Sequence, residues 1–513
     1  MTRKKFFIVG SISIFIALAS IFWRHLTLVS TPSPVTDIEM AKESKLAIIV
    51  GSGLAGLSAA STLIANGIQV TLLERSLKPG GNSIKASSGI NGAPTRYQPG
   101  PPFSDSFFYA DTIASSGSVF ASSSGDERKR REKLTERLVN HSAGCIEWLV
   151  KKGVDLSVVA QLGGHRFPRT HRGGGKTPPG YAIVSTLLGE LKASPLFTMQ
   201  TGCVVTNVLK IDGKVEGVEY TDGDGEKGEI RGPIVFATGG FAGDANGSLA
   251  TYRPDLAGFP STNDARPGSQ HLLTAIGAQL LDMAEVQVHP TAFVDPKDLE
   301  NPVKFLAAEL LRGEGGLLLH EGNRFVNEME TRKVVTDAIT NLPIAEGSPR
   351  QWDVQLVLDE GVYQNASSHI DFYIFKGLMR KITLSELDSE AMKAVKKYSL
   401  AAAGEAEDKL GRNYFGHWEL KPDEVSSDSV LYVGRVTPAV HFTMGGVVIN
   451  ERAEVLNIDG ERIGGVWAAG EVAGGVHGEN RLGGSSLLEC CVFGRVAGSE
   501  ITKFLAEEKE TVV

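Results

Sequence analysis

The chain of 513 residues is too long for one hydrophobic core of ordinary size, so two lobes are expected. Apolar residues make up 42% and charged residues 22%, with a formal net charge of −8 and no long single-sign tail, which excludes a disordered chain and argues against nucleic acid as a partner. Four cysteines, Cys145, Cys203, Cys490 and Cys491, are too few and too badly spaced for a disulfide scaffold or a zinc knuckle, and 59 glycines recur in short motifs, which points to backbone passing close to a ligand.

The first thirty residues stand apart. Arg3, Lys4 and Lys5 precede an uncharged run from Phe6 to Trp23, eighteen residues at the boundary between a secretory apolar region and a spanning helix. Ala17-Leu18-Ala19 is compatible with cleavage, but apolar residues continue past it, so residues 1–30 read as an uncleaved N-terminal anchor directing the chain to an organelle. Mitochondrion and endoplasmic reticulum both remain open. The sequons at Asn140, Asn246 and Asn365 bear only on a lumenal location. Thr31 to Thr36, with two prolines, reads as a linker.

The body opens with "KLAIIVGSGLAGLSAASTLIANGIQVTLLERS". Leu46 to Val50 is a short buried-strand run, Gly51-Ser52-Gly53-Leu54-Ala55-Gly56 is a GxGxxG turn, and Leu57 to Asn66 has helical periodicity. A second strand, Gln69 to Leu73, ends at Glu74. Gly51 allows the tight turn, Gly53 lets a pyrophosphate approach the backbone, Gly56 packs helix on strand, and Glu74 can accept ribose hydroxyls. NAD and FAD both use such a unit; the following "KPGGNSIKASSGIN", Lys78 to Asn91, helps choose, since it could wrap over flavin phosphates and ring. A later strand in "GPIVFATGGFAG" ends in Ala237-Thr238-Gly239-Gly240. Near the C-terminus, "GVWAAGEVAGGVHGENRLGGSSLLECCVFGRVAG" runs from a strand, Val466 to Ala469, through Gly470-Glu471 into a loop and a helix from about Ser485, whose N-terminus could face the flavin pyrimidine edge.

Taken in order, the glycine motif with Glu74, "GGNS", "ATGG", "HFTMGG" and "GEVAGGVHGENRLGG" resemble the flavin subunit family of fumarate reductases and succinate dehydrogenases, in particular the soluble fumarate reductases of fungi and the flavin domain of bacterial flavocytochrome fumarate reductases. The resemblance runs from about Lys45 to Phe504. It implies an α/β fold: a Rossmann-like FAD-binding domain with a parallel sheet, residues 45–283 and 441–507, interrupted by an α+β substrate-capping domain, residues 284–440. The FAD contacts would come from Gly51, Gly53, Leu54, Ala55 and Gly56; Glu74 and Arg75; Gly81, Asn82, Ser83, Ser88 and Gly89; Val205; Ala237, Thr238 and Gly239; Phe442; Gly470 and Glu471; and Arg481, Ser486 and Leu487.

Four separated clusters carry the substrate residues that the resemblance implies: Gln287 and His289 in "QVHPTA", Glu309 and Arg312 in "FLAAELLRGEGG", Arg332 in "NEMETRKVV", and His441 with Arg481 beyond the capping segment. Read alone, each has a plainer explanation. Glu309 and Arg312 are three apart on one expected helix face, an arrangement usually worth little as a surface ion pair. Two isolated histidines without a carboxylate at ligand spacing do not make a metal site, and none is expected.

The resemblance implies irreversible reduction of fumarate to succinate by hydride transfer from flavin N5. Arg481 and His441 would bind one substrate carboxylate and His289 the other, while Arg332 would donate a proton to the opposite carbon. Charge accumulating beside a carboxylate calls for fixed donors in a dry cleft, and arginine offers bidentate carboxylate recognition that lysine does not. An arginine is a poor acid, with a pKa above about 12. Arg332 follows a threonine at an expected helix start, where the helix dipole disfavours a cation, and that placement gives the role a physical rationale. Glu309 and Arg312 would return the proton from solvent.

Departures from the family pattern refine the expectation. "GGNSIKASSG" lacks the histidine that holds flavin covalently in membrane-bound relatives, so FAD should be non-covalent. Ala308 replaces a hydroxyl residue, which puts one contact to the distal carboxylate in doubt. With no haem or iron–sulfur ligands in the sequence, electrons should come from a diffusible donor such as free reduced flavin, or from an unidentified partner, in service of anaerobic redox balance. The alternatives are a reductase of another unsaturated acid (urocanate or acrylate type), a ketosteroid dehydrogenase, and a non-catalytic flavin redox partner. "HRGGGKT" fails as a Walker A loop because Thr170 stands where its first glycine belongs. "DERKRREKLTERLVN" reads as a solvated helix face. Cys490 and Cys491 fall in the C-terminal helix, where adjacency makes a mutual bridge strained.

Overall fold

The computed structural model describes residues 45–511 apart from 100–104, 163, 176, 308–309 and 312. The N-terminal segment 1–30 and its linker lie outside the described residues; among those described, no helix is long and apolar enough to cross a membrane.

The chain begins with β1 (Leu46–Val50), α1 (Leu54–Ala65) and β2 (Gln69–Glu74). β1 and β2 pair in parallel, Ile49 opposite Leu72. β1 is apolar throughout, and both strands are buried beyond their first residue, as strands covered on both faces must be. Helices α2 (Gly125–Asn140), α3 (Ser142–Lys151) and α4 (Pro179–Lys192) precede β3 (Phe197–Thr201), and β4 (Ile234–Phe236) follows. α2 corrects the expectation of a purely solvated face: Arg131 is 2% exposed and paired with Asp282 at 2.7 Å and Glu127 at 2.8 Å. A guanidinium can be buried there because two carboxylates satisfy its fork.

After β4 the chain builds a second, antiparallel sheet from β5 (Val286–Phe293), β6 (Phe305–Leu306), β7 (Leu317–Leu319), β8 (Val354–Leu358), β9 (Arg380–Thr383) and the long β10 (Val430–Thr443). Its order is β6-β5-β10-β8-β7, with β9 also on β10. Helices α5 (Arg332–Thr340), α6 (Glu360–Phe375) and α7 (Ser389–Ala402) lie along this segment of chain. Return to the first sheet is through β11 (Glu454–Leu456) and β12 (Arg462–Ala468), giving the order β11-β12-β4-β1-β2-β3, and the chain closes with α8 (Ser485–Thr511).

Packing follows the same division. One core cluster draws on Ala47 to Ala278 and again on Val447 to Ile501, and a second on Phe241 to Val440. In the first, α8 lies against α1 so closely that a Cβ on Gly494 would stand 2.3 Å from the Ala55 carbonyl, and one on Gly498 2.8 Å from that of Ala59. Two glycines one turn apart therefore set the spacing of the two helices whose first turns reach the site. In the second sheet, β5 shifts register against β10 between Gln287 and Val288 and again between His289 and Ala292. Pro290 sits at this irregularity, where a residue without an N–H is tolerated.

Candidate functional site

The glycine turn is fastened from below. Gly51 has φ +106, and a Cβ there would lie 2.4 Å from the Ala237 carbonyl; one on Gly56 would lie 2.0 Å from the Gly51 carbonyl. Both glycines are demanded by the protein itself. Gly53 differs: a Cβ there would meet only Ser83 Oγ, at 3.5 Å. Its bareness keeps an approach open at the start of α1, which fits a pyrophosphate on the helix N-terminus. Glu74 is 6% exposed and accepts from the Ser52 amide at 2.9 Å, from the Ser52 hydroxyl, and from the Ser76 amide at 2.7 Å. Its carboxylate thus also holds the loop's shape, a duty the motif alone does not reveal. Ser83 accepts from the Leu54 amide at 3.0 Å, so the "GGNS" wrap is tied to the first turn of α1.

Arg75 donates to the Pro267 carbonyl at 2.8 Å, and burial, then Arg266, lowers its guanidinium. Thr238 shares a hydrogen bond with Ser269, and Val205 pairs with Tyr220 in a separate three-stranded sheet. A Cβ on Gly240 would strike Thr443 Oγ1 and the Glu471 carboxylate. That carboxylate accepts from the Thr443 amide at 2.9 Å and its hydroxyl at 3.2 Å. Burial nevertheless raises Glu471 to about 7, outweighing those two bonds. Asn91 donates to the Gly483 carbonyl at 2.7 Å and to Ser485 Oγ at 3.1 Å, fixing the start of α8.

One cleft gathers these loops with the substrate candidates. Asn82, Ser83, Ser88 and Gly89 line it together with Arg332, His441, Phe442, Glu471, Arg481, Ser486 and Leu487. Arg481, 5% exposed, donates to Gln287 Oε1 at 3.1 Å and lies over the Phe442 ring at 4.7 Å. His441 Nδ1 is 3.0 Å from Thr262 Oγ1, and its ring meets that of His289 edge-on at 5.8 Å. His289 and Gln287 are buried behind this front; His289 Nδ1 accepts from the Thr291 amide at 3.3 Å, and Gln287 donates to Asn480. Clusters at 287–289, 332, 441 and 481 are therefore brought together.

The fourth cluster differs from expectation. Glu309, Arg312 and Ala308 lie outside the described residues, while Leu310, Leu311 and Gly313 are in turns, so no helix continues through them. Gly315, with φ +107, packs so tightly that a Cβ would stand 2.1 Å from the Phe415 carbonyl, and Arg412 donates to the carbonyls of Leu311 at 3.3 Å and Gly316 at 2.8 Å. Side-chain capture of these carbonyls replaces helical bonding.

Arg332 opens α5 behind Thr331, whose hydroxyl accepts from the Val334 amide at 3.4 Å. The segment leading into it is anchored by Glu328, fully buried, which binds Arg324 at 2.6 Å, Arg412 at 3.2 Å and the Leu318 amide at 3.1 Å. Burial alone would lower Arg324, but Glu328 and Asp408 raise it. Sequence reading missed this network, although Glu328 sits in the same motif as Arg332. It also missed Thr262, Asn263 and Lys304, which line the cleft from stretches with no motif beyond the polar run "STND". Asn263 donates to the His441 carbonyl at 3.1 Å and is hydrogen-bonded to Asn82.

A parallel sheet with a glycine turn, a buried acid at the end of its second strand, and a cleft where the segment tied to that turn meets clustered cations define a dinucleotide-binding flavoprotein. The family model described as the FAD binding domain matches residues 47–487, so the chain belongs to that family, and FAD is its cofactor. Fumarate reductase 1 of Saccharomyces cerevisiae is 43% identical over 480 residues, covering 88% of this chain and 98% of that protein. The fumarate reductase of Schizosaccharomyces pombe is 39% identical over 496 residues, covering 91% and 92%. Among solved structures, the open conformation of a flavocytochrome c3 fumarate reductase superposes with a TM-score of 0.73 at 29% identity, covering 90% of this chain and 79% of that one.

Proposed function

We propose that this chain reduces fumarate to succinate, essentially irreversibly. The observation that carries the reading is the meeting of Arg332, His441 and Arg481 in one cleft with the flavin loops. FAD, held non-covalently, supplies the hydride. Arg481 and His441 grip one carboxylate, with Gln287 orienting Arg481 and Thr262 orienting the His441 ring. His289 receives the other carboxylate. Arg332 gives its proton to the alkene carbon opposite the hydride, and Glu309 with Arg312 restore it from solvent. Segment 284–440 serves as the cap that closes over the dicarboxylate and excludes water, which strengthens each of these contacts.

Electrons arrive from a diffusible donor, reduced flavin by preference. The N-terminal segment 1–30 anchors or targets the chain to the endoplasmic reticulum or mitochondrion; fractionating cells that express the full chain would assign it, and a cytosolic location would refute it. The activity is tested by anaerobic oxidation of reduced FMN by the flavin-loaded protein, with fumarate, urocanate, acrylate or a 3-ketosteroid as acceptor. Acceleration by fumarate alone is expected. No fumarate-dependent acceleration with FAD still bound would favour a flavin redox partner, and acceleration by another acceptor would reassign the substrate.

A further inference from the structure

Behind the cleft wall stand two buried ionisable side chains that the proposed reaction does not use, His477 and Glu489, 4% and 1% exposed. His477 Nε2 donates to Glu489 Oε2 at 3.0 Å. Glu489 lies one turn into α8, and His477 lies in the segment between β12 and α8 that also carries Glu471 and Arg481. Burying such a pair adds little stability, because desolvation offsets most of the attraction, so its placement calls for another account.

His477 is held by three elements. Glu489 ties its ring to α8, its carbonyl accepts from Arg131 Nη1 of α2 at 3.3 Å, and its ring meets that of Phe442 on β10, with centroids 5.9 Å apart and planes at 67°. The next residue is equally confined: a Cβ on Gly478 would stand 2.4 Å from the Ser116 carbonyl. Phe442 is a shared surface. The Arg481 guanidinium lies over the same ring at 4.7 Å, and its Nη2 donates to Gln287 Oε1 at 3.1 Å. Glu489, His477, Phe442 and Arg481 therefore form one column of contacts from α8 to the cleft, which Phe442 and Arg481 line.

We propose that His477 and Glu489 are positioning residues: the pair sets the Phe442 ring, and through it the direction in which Arg481 presents its guanidinium to a substrate carboxylate. This rests on the reading of Arg481 as a carboxylate grip. The hydrogen bond to Glu489 fixes the plane of the imidazole, and Phe442, packed against that plane, is held in one orientation. A guanidinium attracted to a ring face follows that face when the ring tilts. Arg481 is thus aimed before substrate arrives, which removes an ordering cost from binding.

A pair that only stabilised α8 would behave differently from one that aims Arg481. In the first case its loss lowers the unfolding midpoint and leaves affinity for a dicarboxylate as it was. In the second, its loss weakens the carboxylate contact in the ground state and the transition state alike, which raises KM and leaves kcat little changed.

The test titrates the oxidised, FAD-loaded full chain with fumarate, read by the change in flavin absorbance, alongside KM and kcat in the reduced-FMN assay. Glu489→Ala and His477→Ala should raise Kd and KM about tenfold or more, with kcat within about threefold at full FAD content. Glu489→Gln and His477→Gln keep an acceptor and a donor in place and should stay within about threefold of the unsubstituted protein. Glu489→Asp keeps the charge but draws it back by one methylene; it should raise Kd about threefold or more, and it decides the matter if the alanine variants fail to fold. Unchanged Kd in folded, FAD-loaded alanine or aspartate variants would overturn the proposal, as would a fall in kcat at unchanged KM, or glutamine variants as impaired as the alanine ones. No fumarate response from the unsubstituted protein would overturn the substrate reading and the proposal with it, whereas unchanged affinity in the variants overturns the proposal alone.

Discussion

Helices α1 and α5 both begin at the site, yet they begin by opposite means. α1 has glycine at its N-cap, no side-chain cap and no acidic residue in its first turn, so its amide groups are left for Ser83 and for a ligand. α5 has Thr331 as a capping side chain and a cation, Arg332, at its first position. The first helix end is shaped by backbone: Gly51 and Gly56 fit only because they have no Cβ. The second is shaped by charge, since the chain entering it hangs from Glu328 between two buried guanidiniums. One design leaves backbone amides open; the other places a cation in the cleft.

Substitutions can break either half of this contrast. Glu328→Ala should be the most damaging, because it strands Arg412 in the core without a carboxylate and leaves Arg324 with Asp408 alone; urea unfolding should show a loss of about 3–5 kcal/mol. Gly51→Ala forces a side chain at φ +106 into the Ala237 carbonyl, with strain of about 1–3 kcal/mol or more. Purified protein should then lose most of its FAD absorbance while thermal unfolding stays cooperative.

Glu471, which lines the cleft beside Thr443, acts on pH dependence. Its folded pKa, about 7, lies above its ordinary value of 4.5, so the native state holds that proton more tightly than the unfolded chain does. The associated stability is full below pH 4.5 and lost as pH rises to 7. Glu471→Gln should therefore raise the stability of flavin-free protein at pH 8 by about 3 kcal/mol and change little at pH 4.5, read by unfolding at both values. The smallest effect is Thr331→Ala, which removes the cap of α5 at a cost of about 1 kcal/mol, with a modest fall in fumarate turnover and no change in bound FAD.

The same contrast explains what was legible in the sequence. The start of α1 could be read residue by residue because its physics is local: a glycine, a strand run and a helical period lie within thirty residues, and β1, α1 and β2 fall within a few positions of where they were expected. Thr331 before α5 was legible for the same reason. What holds α5 was not, since Glu328 finds Arg412 84 residues away and no local pattern announces the pairing. Burial of Arg131 depended likewise on Asp282, 151 residues distant. Where a helix was expected, Leu310 and Leu311 lie in turns, with Gly315 packed on the distant Phe415 carbonyl, and Thr262 reaches His441 across 179 residues. Family motifs brought His441 and Arg481 into one reading; only the fold shows Gln287 bracing Arg481 and the buried His289 against the His441 ring.

The proposed proton transfer rests on Arg332, and replacing it with lysine keeps the charge while removing the planar guanidinium. The decisive measurement is fumarate-dependent oxidation of reduced FMN by Arg332→Lys, with FAD content quantified on the same preparation. A fall in kcat of about a thousandfold or more at full FAD occupancy is the expected result. Turnover within about tenfold of the unsubstituted protein, at equal FAD content, would contradict the assignment of Arg332 as the proton donor.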